Sequence, residues 1–254
     1  MAKPWFNDVS RNSYSRVYPR GVRRRRRSFG FFDNLSLTGW LIFVNVVFFI
    51  GAFIFGFSGY VPCSESVCKY IAIQPNNFLL KGYVWTAITS MFMHGSFAHL
   101  LVNMFVLFSL GSLCERIIGR VRFFWFYILS GIFAGLLFVA LAFLSGGNGV
   151  SEAIFGSPLT YAVGASGAIF AIAGLFVMLT PKLKFMIIFL PFFSLPAYIM
   201  VPLILFLTWI VSSVTGLPVG NVAHFGGFLV GIVYGAYLRK KYSRKVRMIG
   251  DLFS

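Results

Sequence analysis

Six long apolar segments restrict what this chain of 254 residues can fold into. A membrane-spanning helix needs about 20 largely apolar residues, and each segment approaches or exceeds that length. In lipid, only helices and closed barrels satisfy all their backbone groups, and these segments lack the alternating pattern of barrel strands. We therefore predict an all-α, polytopic membrane protein. Its six predicted transmembrane helices are residues 37–57, 96–113, 123–144, 163–180, 185–211 and 221–238.

The positive charges of the chain, which has a net charge of +16, fall almost entirely on one side of this topology. With the N-terminus in the cytoplasm, only Lys69 and Lys81 among the 22 Lys and Arg residues lie outside. Cytoplasmic loops of membrane proteins carry such an excess of Lys and Arg. We therefore predict a multi-pass protein of the cell membrane with both termini in the cytoplasm.

A membrane domain at residues 37–240 is flanked by two basic segments. We expect residues 1–36, which are polar and basic, to be disordered, and residues 241–254 to form a basic cytoplasmic tail. The first apolar segment is too long for a signal peptide and lacks a cleavage site, so we interpret it as a span. Both basic segments are expected to contact anionic lipid headgroups. RNA binding is a weaker alternative, because no aromatic stacking module accompanies the arginine run at 23–27.

The three cysteines do not form a metal-binding pattern. Cys63 and Cys68 lie in the first outside loop, where oxidation is possible, and the sequence leaves open whether they form a disulfide. Cys114 falls at the inner end of the second predicted helix, out of their reach. We expect no metal and no other cofactor.

Several polar side chains fall at one depth of the predicted bundle. The second, fourth and sixth helices run in the same direction, so their first turns lie near the same membrane face. His99, Ser166 and His224 each lie in one of these first turns. Asn103 follows His99 by four residues and therefore shares its helix face, while His94 lies in the preceding loop or helix entry. This arrangement predicts a polar site near the outer face.

Stripes of small residues predict that the fourth and sixth helices pack closely. Small side chains allow the backbones of membrane helices to approach each other. Such an approach would bring Ser166 within reach of His224. The small residues are Gly164, Gly167, Ala168, Ala171 and Gly174 in one helix and Ala223, Gly227, Gly231 and Gly235 in the other.

Three motifs in this order resemble the rhomboid family of intramembrane serine proteases. Residues 164–167 read GASG, similar to the family's Gly-x-Ser-Gly, and residues 223–231 read AHFGGFLVG, similar to Ala-His-x-x-Gly-x-x-x-Gly. Residues 94–103 read HGSFAHLLVN, similar to the family's first His and its His-x-x-x-Asn pattern. Gly111 and Glu115-Arg116 also match the end of the second helix. The resemblance covers residues from about 37 to 240 and implies a six-helix rhomboid-like bundle.

The resemblance also implies roles for individual residues. Ser166 matches the nucleophile and His224 the general base. His99 and Asn103, with the Ser166 backbone N–H, match the oxyanion hole. These roles imply an intramembrane serine endopeptidase that cleaves transmembrane helices near the outer face through a Ser-His dyad and an acyl-enzyme, in a site that opens to the outside. We expect no carboxylate in the site, because Glu65 and Glu152, the acidic residues near the outer ends, lie in loops.

Other positions support the substrate or the loops around it. We expect this of His94, Gly164 and Gly167, and of Phe170, which stands where the family commonly has a tyrosine beneath the imidazole. A second departure is Trp85-Thr86, where the first outside loop of the family often has Trp-Arg.

The fifth helix and the following loop are candidates for moving parts. Pro191, Pro196 and Pro202 interrupt the predicted fifth helix, which is either a gate for substrate or a helix with simple kinks. The loop at 212–220 resembles a mobile cover over the site.

Three other functions remain as alternatives. The first is a catalytically inactive rhomboid-like protein that binds membrane clients. The second is a transporter or channel, which would place polar residues at several depths. The third is a haem-binding membrane protein with His99 and His224 as axial ligands.

Overall fold

The chain folds into a bundle of apolar helices with one short β-hairpin. A computed structural model describes residues 35–56, 65–146, 149–187, 190–215 and 220–251. Three features of the sequence analysis lie outside these residues. They are the arginine run at 23–27, Cys63 and residues 216–219 of the loop at 212–220.

The elements follow one another in this order along the chain. The strands β1 (Lys184–Ile187) and β2 (Leu190–Pro196) pair antiparallel. A π-helical turn at Leu107–Gly111 joins α5 and α6 into one apolar helix, Phe97–Ile118. The helices are α1 Leu37–Gly56, α2 Glu65–Ile71, α3 Pro75–Leu80, α4 Thr86–Thr89, α5 Phe97–Val106, α6 Ser112–Ile118, α7 Arg120–Leu144, α8 Val150–Phe155, α9 Ser166–Leu179, α10 Ala197–Thr215, α11 Asn221–Lys241 and α12 Ser243–Asp251.

The prediction of a helical, multi-pass membrane bundle is confirmed. Within the described part of the chain, five helices are long and apolar enough to cross a membrane: α1, the joined α5–α6, α7, α10 and α11. The sixth apolar helix, α9, has only 14 residues. At about 1.5 Å per residue it is about 21 Å long, shorter than a hydrocarbon core of about 30 Å. Most of its side chains are buried among the neighbouring helices.

The predicted boundaries of the fourth and fifth helices were wrong. The fourth was predicted from residue 163 but α9 begins at Ser166, because Ala162 pairs with Ile73 as an isolated β-bridge and Gly164 has φ +128°. The fifth was predicted from residue 185, where the hairpin lies instead. Proline disfavours a helical conformation in the residue before it and removes a backbone donor. Accordingly, Pro196 ends β2, α10 begins directly after it, and Pro202 alone lies inside the helix.

The helices α9 and α11 pack in parallel through their glycines, as the small-residue stripes predicted. A Cβ atom on Gly227 would overlap the Gly167 carbonyl, and one on Gly231 would overlap the Ala171 carbonyl. Both contacts advance by four residues along each helix, so the two helices keep one register over a full turn. This register sets which residues of their first turns face each other.

The first helix is tied to the rest of the bundle by Glu115. One carboxylate oxygen accepts from the Leu37 N–H at 2.9 Å, and the other accepts from the Thr38 N–H at 2.9 Å and the Thr38 hydroxyl at 2.8 Å. The first N–H groups of a helix have no partner within the helix. Glu115, at the end of α6, therefore caps α1.

The described cysteines differ in state. Cys68, in α2, is disulfide-bonded. Cys114 is free and buried in the main core.

Candidate active site

The first turns of α9 and α11 bring Ser166 and His224 together. Ser166 is the first residue of α9 and His224 the fourth of α11. The Ser166 Oγ lies 2.7 Å from the His224 Nε2, within the range of a hydrogen bond between a nucleophile and its base. The predicted proximity of the two side chains is confirmed.

The imidazole of His224 is held by packing. Its ring stacks on Phe170 with 4.6 Å between the ring centroids and 29° between the planes. Phe170 follows Ser166 by four residues, so the two side chains share one face of α9. Only 9% of His224 is exposed, and its Nδ1 has no hydrogen-bond partner among the described residues. Within that part of the chain, the pair therefore has no carboxylate as a third member.

The helix α5 contacts the segment that precedes α9, at Gly164. A Cβ atom on Gly164 would lie 2.9 Å from the His99 Cε1 and 3.6 Å from the Asn103 Nδ2. The φ of +128° at Gly164 is also one that residues with a Cβ rarely adopt. Glycine at this position lets the backbone pass directly beside His99 and Asn103, two residues before the serine.

His99 and Asn103 present polar donors to this segment. The Gly95 N–H donates to the His99 Nδ1 at 3.4 Å, an arrangement that leaves the proton of the neutral ring on Nε2. Asn103 is buried, and its Nδ2 has no acceptor among the residues that the structure describes. Both nitrogens lie close to the position of a Cβ atom on Gly164. The arrangement therefore offers two N–H donors to a negatively charged oxygen beside Ser166.

The helix that carries these donors is fixed at its start by its own side chains. The Ser96 Oγ accepts from the His99 backbone N–H at 3.1 Å and so caps α5. His94, in the preceding loop, is fully buried, and its ring lies 5.1 Å from that of His99 in an edge-on arrangement. Burial, together with the neighbouring His99, lowers the pKa of His94 to about 3. His94 is therefore neutral at neutral pH and supports the ring of His99 by packing.

Gly167 contributes to the site through helix packing. A Cβ atom there would lie 2.8 Å from the Ala134 Cβ on α7, and Gly227 packs against its backbone from α11. Gly167 thus lets α7 and α11 approach the first turn of α9 from two sides. This contact holds the serine and the histidine at their distance.

Two further contacts around the site were not anticipated. The Ser90 carbonyl accepts from the Gly164 N–H at 2.8 Å and anchors the segment before the serine. The Asn221 side chain donates to the Ser212 hydroxyl at 2.7 Å and joins the end of α10 to the start of α11. The first contact uses a backbone carbonyl and leaves no signal in the sequence. The second had one, a polar residue at the start of a predicted transmembrane helix.

Contacts of Trp85 hold the loop before α5 in place. Its indole N–H donates to the Tyr70 carbonyl at 2.9 Å, and the Tyr83 ring lies between the rings of Tyr70 and Trp85. Thr86 is buried, and its hydroxyl donates to the Tyr83 carbonyl at 2.6 Å. Thr86 stands where the rhomboid family often has an arginine, and its hydroxyl makes this local contact within the loop.

No group of three or more metal-ligating side chains occurs in the part of the chain that the structure describes. The catalytic and oxyanion side chains predicted for the site lie around one short stretch of backbone at residues 164–166. They are Ser166, His224, His99 and Asn103.

Comparison of the sequence with known proteins places the chain in a family. A model of the Rhomboid domain matches residues 81–241. The chain is 32% identical over 206 residues to "Rhomboid protein 1, mitochondrial" of Saccharomyces cerevisiae, covering 77% of this chain and 53% of that protein. It is 29% identical over 154 residues to "Rhomboid protease GlpG" of Haemophilus influenzae, covering 60% of this chain and 68% of that protein.

A third relative is "Presenilin-associated rhomboid-like protein, mitochondrial" of Homo sapiens, which is 31% identical over 178 residues, or 68% of this chain and 42% of that protein. The chain thus spans about half the length of the yeast and human relatives. The family model covers the segment from the loop before α4 to the end of α11, which includes every residue of the candidate site. The chain belongs to the rhomboid family.

Proposed function

We propose that the chain is an intramembrane serine endopeptidase that cleaves transmembrane helices of membrane proteins. The observation that carries the proposal is the distance of 2.7 Å between the Ser166 Oγ and the His224 Nε2. A serine hydroxyl is a weak nucleophile unless an adjacent base takes its proton. The stacked, nearly buried imidazole of His224 is suited to be that base.

In the first half of the reaction, the His224 Nε2 accepts the Ser166 proton while the Oγ attacks the carbonyl carbon of a peptide bond. The tetrahedral intermediate collapses when the C–N bond breaks and the leaving amine takes the proton from His224. The product is an ester between Ser166 and the N-terminal part of the substrate. In the second half, His224 deprotonates a water molecule, which attacks the ester. The proton then returns to the Ser166 oxygen, and the acid product leaves.

The negative oxygen of each tetrahedral intermediate needs donors that are already in position. We assign this role to the Ser166 backbone N–H, the His99 Nε2 and the Asn103 Nδ2. Support comes from the buried Asn103 amide without an acceptor in the described part of the chain and from the close passage of Gly164 beside both side chains. Gly164, Gly167 and His94 support this arrangement, and Phe170 positions the ring of His224.

The substrates are transmembrane proteins whose helix unwinds near the site, since a helical backbone hides its carbonyl groups from attack. The basic side of the bundle faces the cytoplasm, where the N- and C-terminal segments contact anionic lipids, and the site opens toward the outer face of the cell membrane. If α10 acts as a gate for the substrate, its movement has to break the hydrogen bond between Asn221 and Ser212.

The experiment is cleavage of a transmembrane reporter by the purified chain in lipid vesicles. Ser166→Ala should abolish cleavage. The matched control is Ser109→Ala, because Ser109 is exposed and its hydroxyl bonds the Phe105 carbonyl of its own helix. This variant should cleave like the wild type. Full cleavage by Ser166→Ala would exclude the serine mechanism, and absence of cleavage by the wild type, with the reporter bound, would favour an inactive client-binding protein.

A further inference from the structure

A cavity of about 290 Å³ lies at the opposite end of α9 and α11 from the candidate active site. The two helices run parallel, so their last turns share one face of the bundle. α12 packs against this face through Val246 and Ile249, which are buried in the same core as Leu179 of α9 and Leu238 of α11. The cavity lies between α12 and these two helix ends and is separate from the catalytic residues.

Positive charge dominates the lining of this cavity. Three cations, Lys182, Arg239 and Arg247, line it together with one carboxylate, Asp251. All three cations are exposed. The excess of positive charge favours an anion, and Arg and Lys are the usual partners of phosphate groups.

Apart from Ser243 and Gly250, the rest of the lining is apolar, and it lies at the end of a helix that could span a membrane. Met178, Leu179, Pro181 and Val246 supply this part of the wall. Arg239 lies in the last turn of α11, a helix long and apolar enough to span a membrane. α12 buries Val246 and Ile249 against the bundle and leaves Arg244, Arg247 and Met248 exposed at this end of the helices. A ligand with a charged head and an apolar body fits these surroundings better than a small soluble ion.

We propose that this cavity binds the phosphate group of one anionic phospholipid, with Lys182, Arg239 and Arg247 as its ligands. The lipid belongs to the leaflet at the face where α9 and α11 end, and its glycerol and acyl part lies against Met178. The site is independent of peptide hydrolysis. A bound lipid would join α12 to the ends of the two helices that carry Ser166 and His224.

The test compares lipid retention by two double variants with the same loss of charge. The full chain is purified in mild detergent, incubated with phosphatidylglycerol or with phosphatidylcholine of the same acyl chains, and examined by native mass spectrometry. Lys182→Ala with Arg247→Ala removes two cations from the cavity. Lys240→Ala with Arg244→Ala removes two exposed cations nearby that do not line it.

We expect the wild type to retain one phosphatidylglycerol and little phosphatidylcholine. The cavity variant should lose affinity for phosphatidylglycerol by about fivefold for each cation removed, whereas the control variant should retain it. Lys182→Arg with Arg247→Lys keeps both charges and should also retain it. Because both cations are exposed, these changes leave the fold intact, which is checked by the unfolding temperature without added lipid.

Three results would overturn the proposal. Equal losses in the two double variants would mean that only general surface charge attracts the lipid. Equal retention of the two lipids would exclude recognition of an anion. Stabilisation by inorganic phosphate in phosphatidylcholine micelles, with the same dependence on Lys182 and Arg247, would assign the site to a soluble phosphate instead. None of these measurements depends on proteolysis, so their failure leaves the proposed peptidase activity untouched.

Discussion

Asn103 places an amide donor beside the segment that precedes the serine, without an acceptor among the described residues. A buried donor without a partner costs free energy in the resting protein. That cost is understandable if the partner is a negative oxygen that exists only during the reaction. The His99 Nε2 is a second donor at this segment, since the Gly95 N–H occupies the Nδ1 of that ring.

We therefore expect Asn103→Ala to lower the turnover of a transmembrane reporter by about 10²–10³-fold, the usual effect of losing one oxyanion donor. Formation of the nucleophile does not require Asn103, so labelling of Ser166 by a fluorophosphonate should remain detectable. The measurement is kcat in detergent micelles beside the labelling yield. Unchanged turnover would exclude Asn103 from the oxyanion site.

At the scale of the elements, the active-site distance depends on the contact between α9 and α11. A Cβ atom at Gly227 would overlap the Gly167 carbonyl, whereas one at Gly51 in α1 would have no neighbour within 4 Å. Both glycines lie inside apolar helices. They therefore form a matched pair for testing the packing.

Gly227→Val should force α9 and α11 apart, lower the free energy of unfolding by about 1–3 kcal/mol and abolish cleavage. Gly51→Val should leave both quantities near those of the wild type. Unfolding is followed by circular dichroism in detergent, and cleavage by the reporter assay. Full activity of Gly227→Val would contradict the close approach of the two helices.

The elements also show what could be predicted from the sequence and what could not. The small-residue stripes predicted that α9 and α11 pack closely, because such a pattern depends on the residues of one helix at a time. The hairpin at β1–β2 was missed, since an apolar run reads alike as a buried strand or a helix segment. Pro191 and Pro196 were recognised as interruptions of a helix. The sequence did not reveal that the helix begins only after them, at residue 197.

Contacts between distant segments had weaker signals in the sequence. The short α9 starts at Ser166 because Ile73 pairs with Ala162, a contact between residues far apart in the chain. The anchor from Gly164 to the Ser90 carbonyl likewise uses backbone atoms. The residues of the candidate site could therefore be predicted, whereas the contacts that fix the segment before Ser166 could not.

At the scale of the whole molecule, α1 is attached to the bundle through one carboxylate. Glu115→Ala removes three hydrogen bonds to the start of α1. Hydrogen bonds to a charged group are each worth about 1.5–3 kcal/mol, so we expect a clear fall in the unfolding temperature. Glu152→Ala, at an exposed position in α8, is the matched control and should have no effect. An unchanged unfolding temperature for Glu115→Ala would show that packing alone holds α1.

The account as a whole rests on the activation of one hydroxyl by one imidazole. The most direct test is the rate at which a fluorophosphonate labels Ser166 in the wild type and in His224→Ala, with Ser109→Ala as the control. Loss of a general base typically costs about 10²–10⁴-fold in rate, so labelling should slow by that factor in His224→Ala and remain unchanged in the control. Equal labelling rates in the wild type and His224→Ala would contradict the account, because Ser166 would then be reactive without its base.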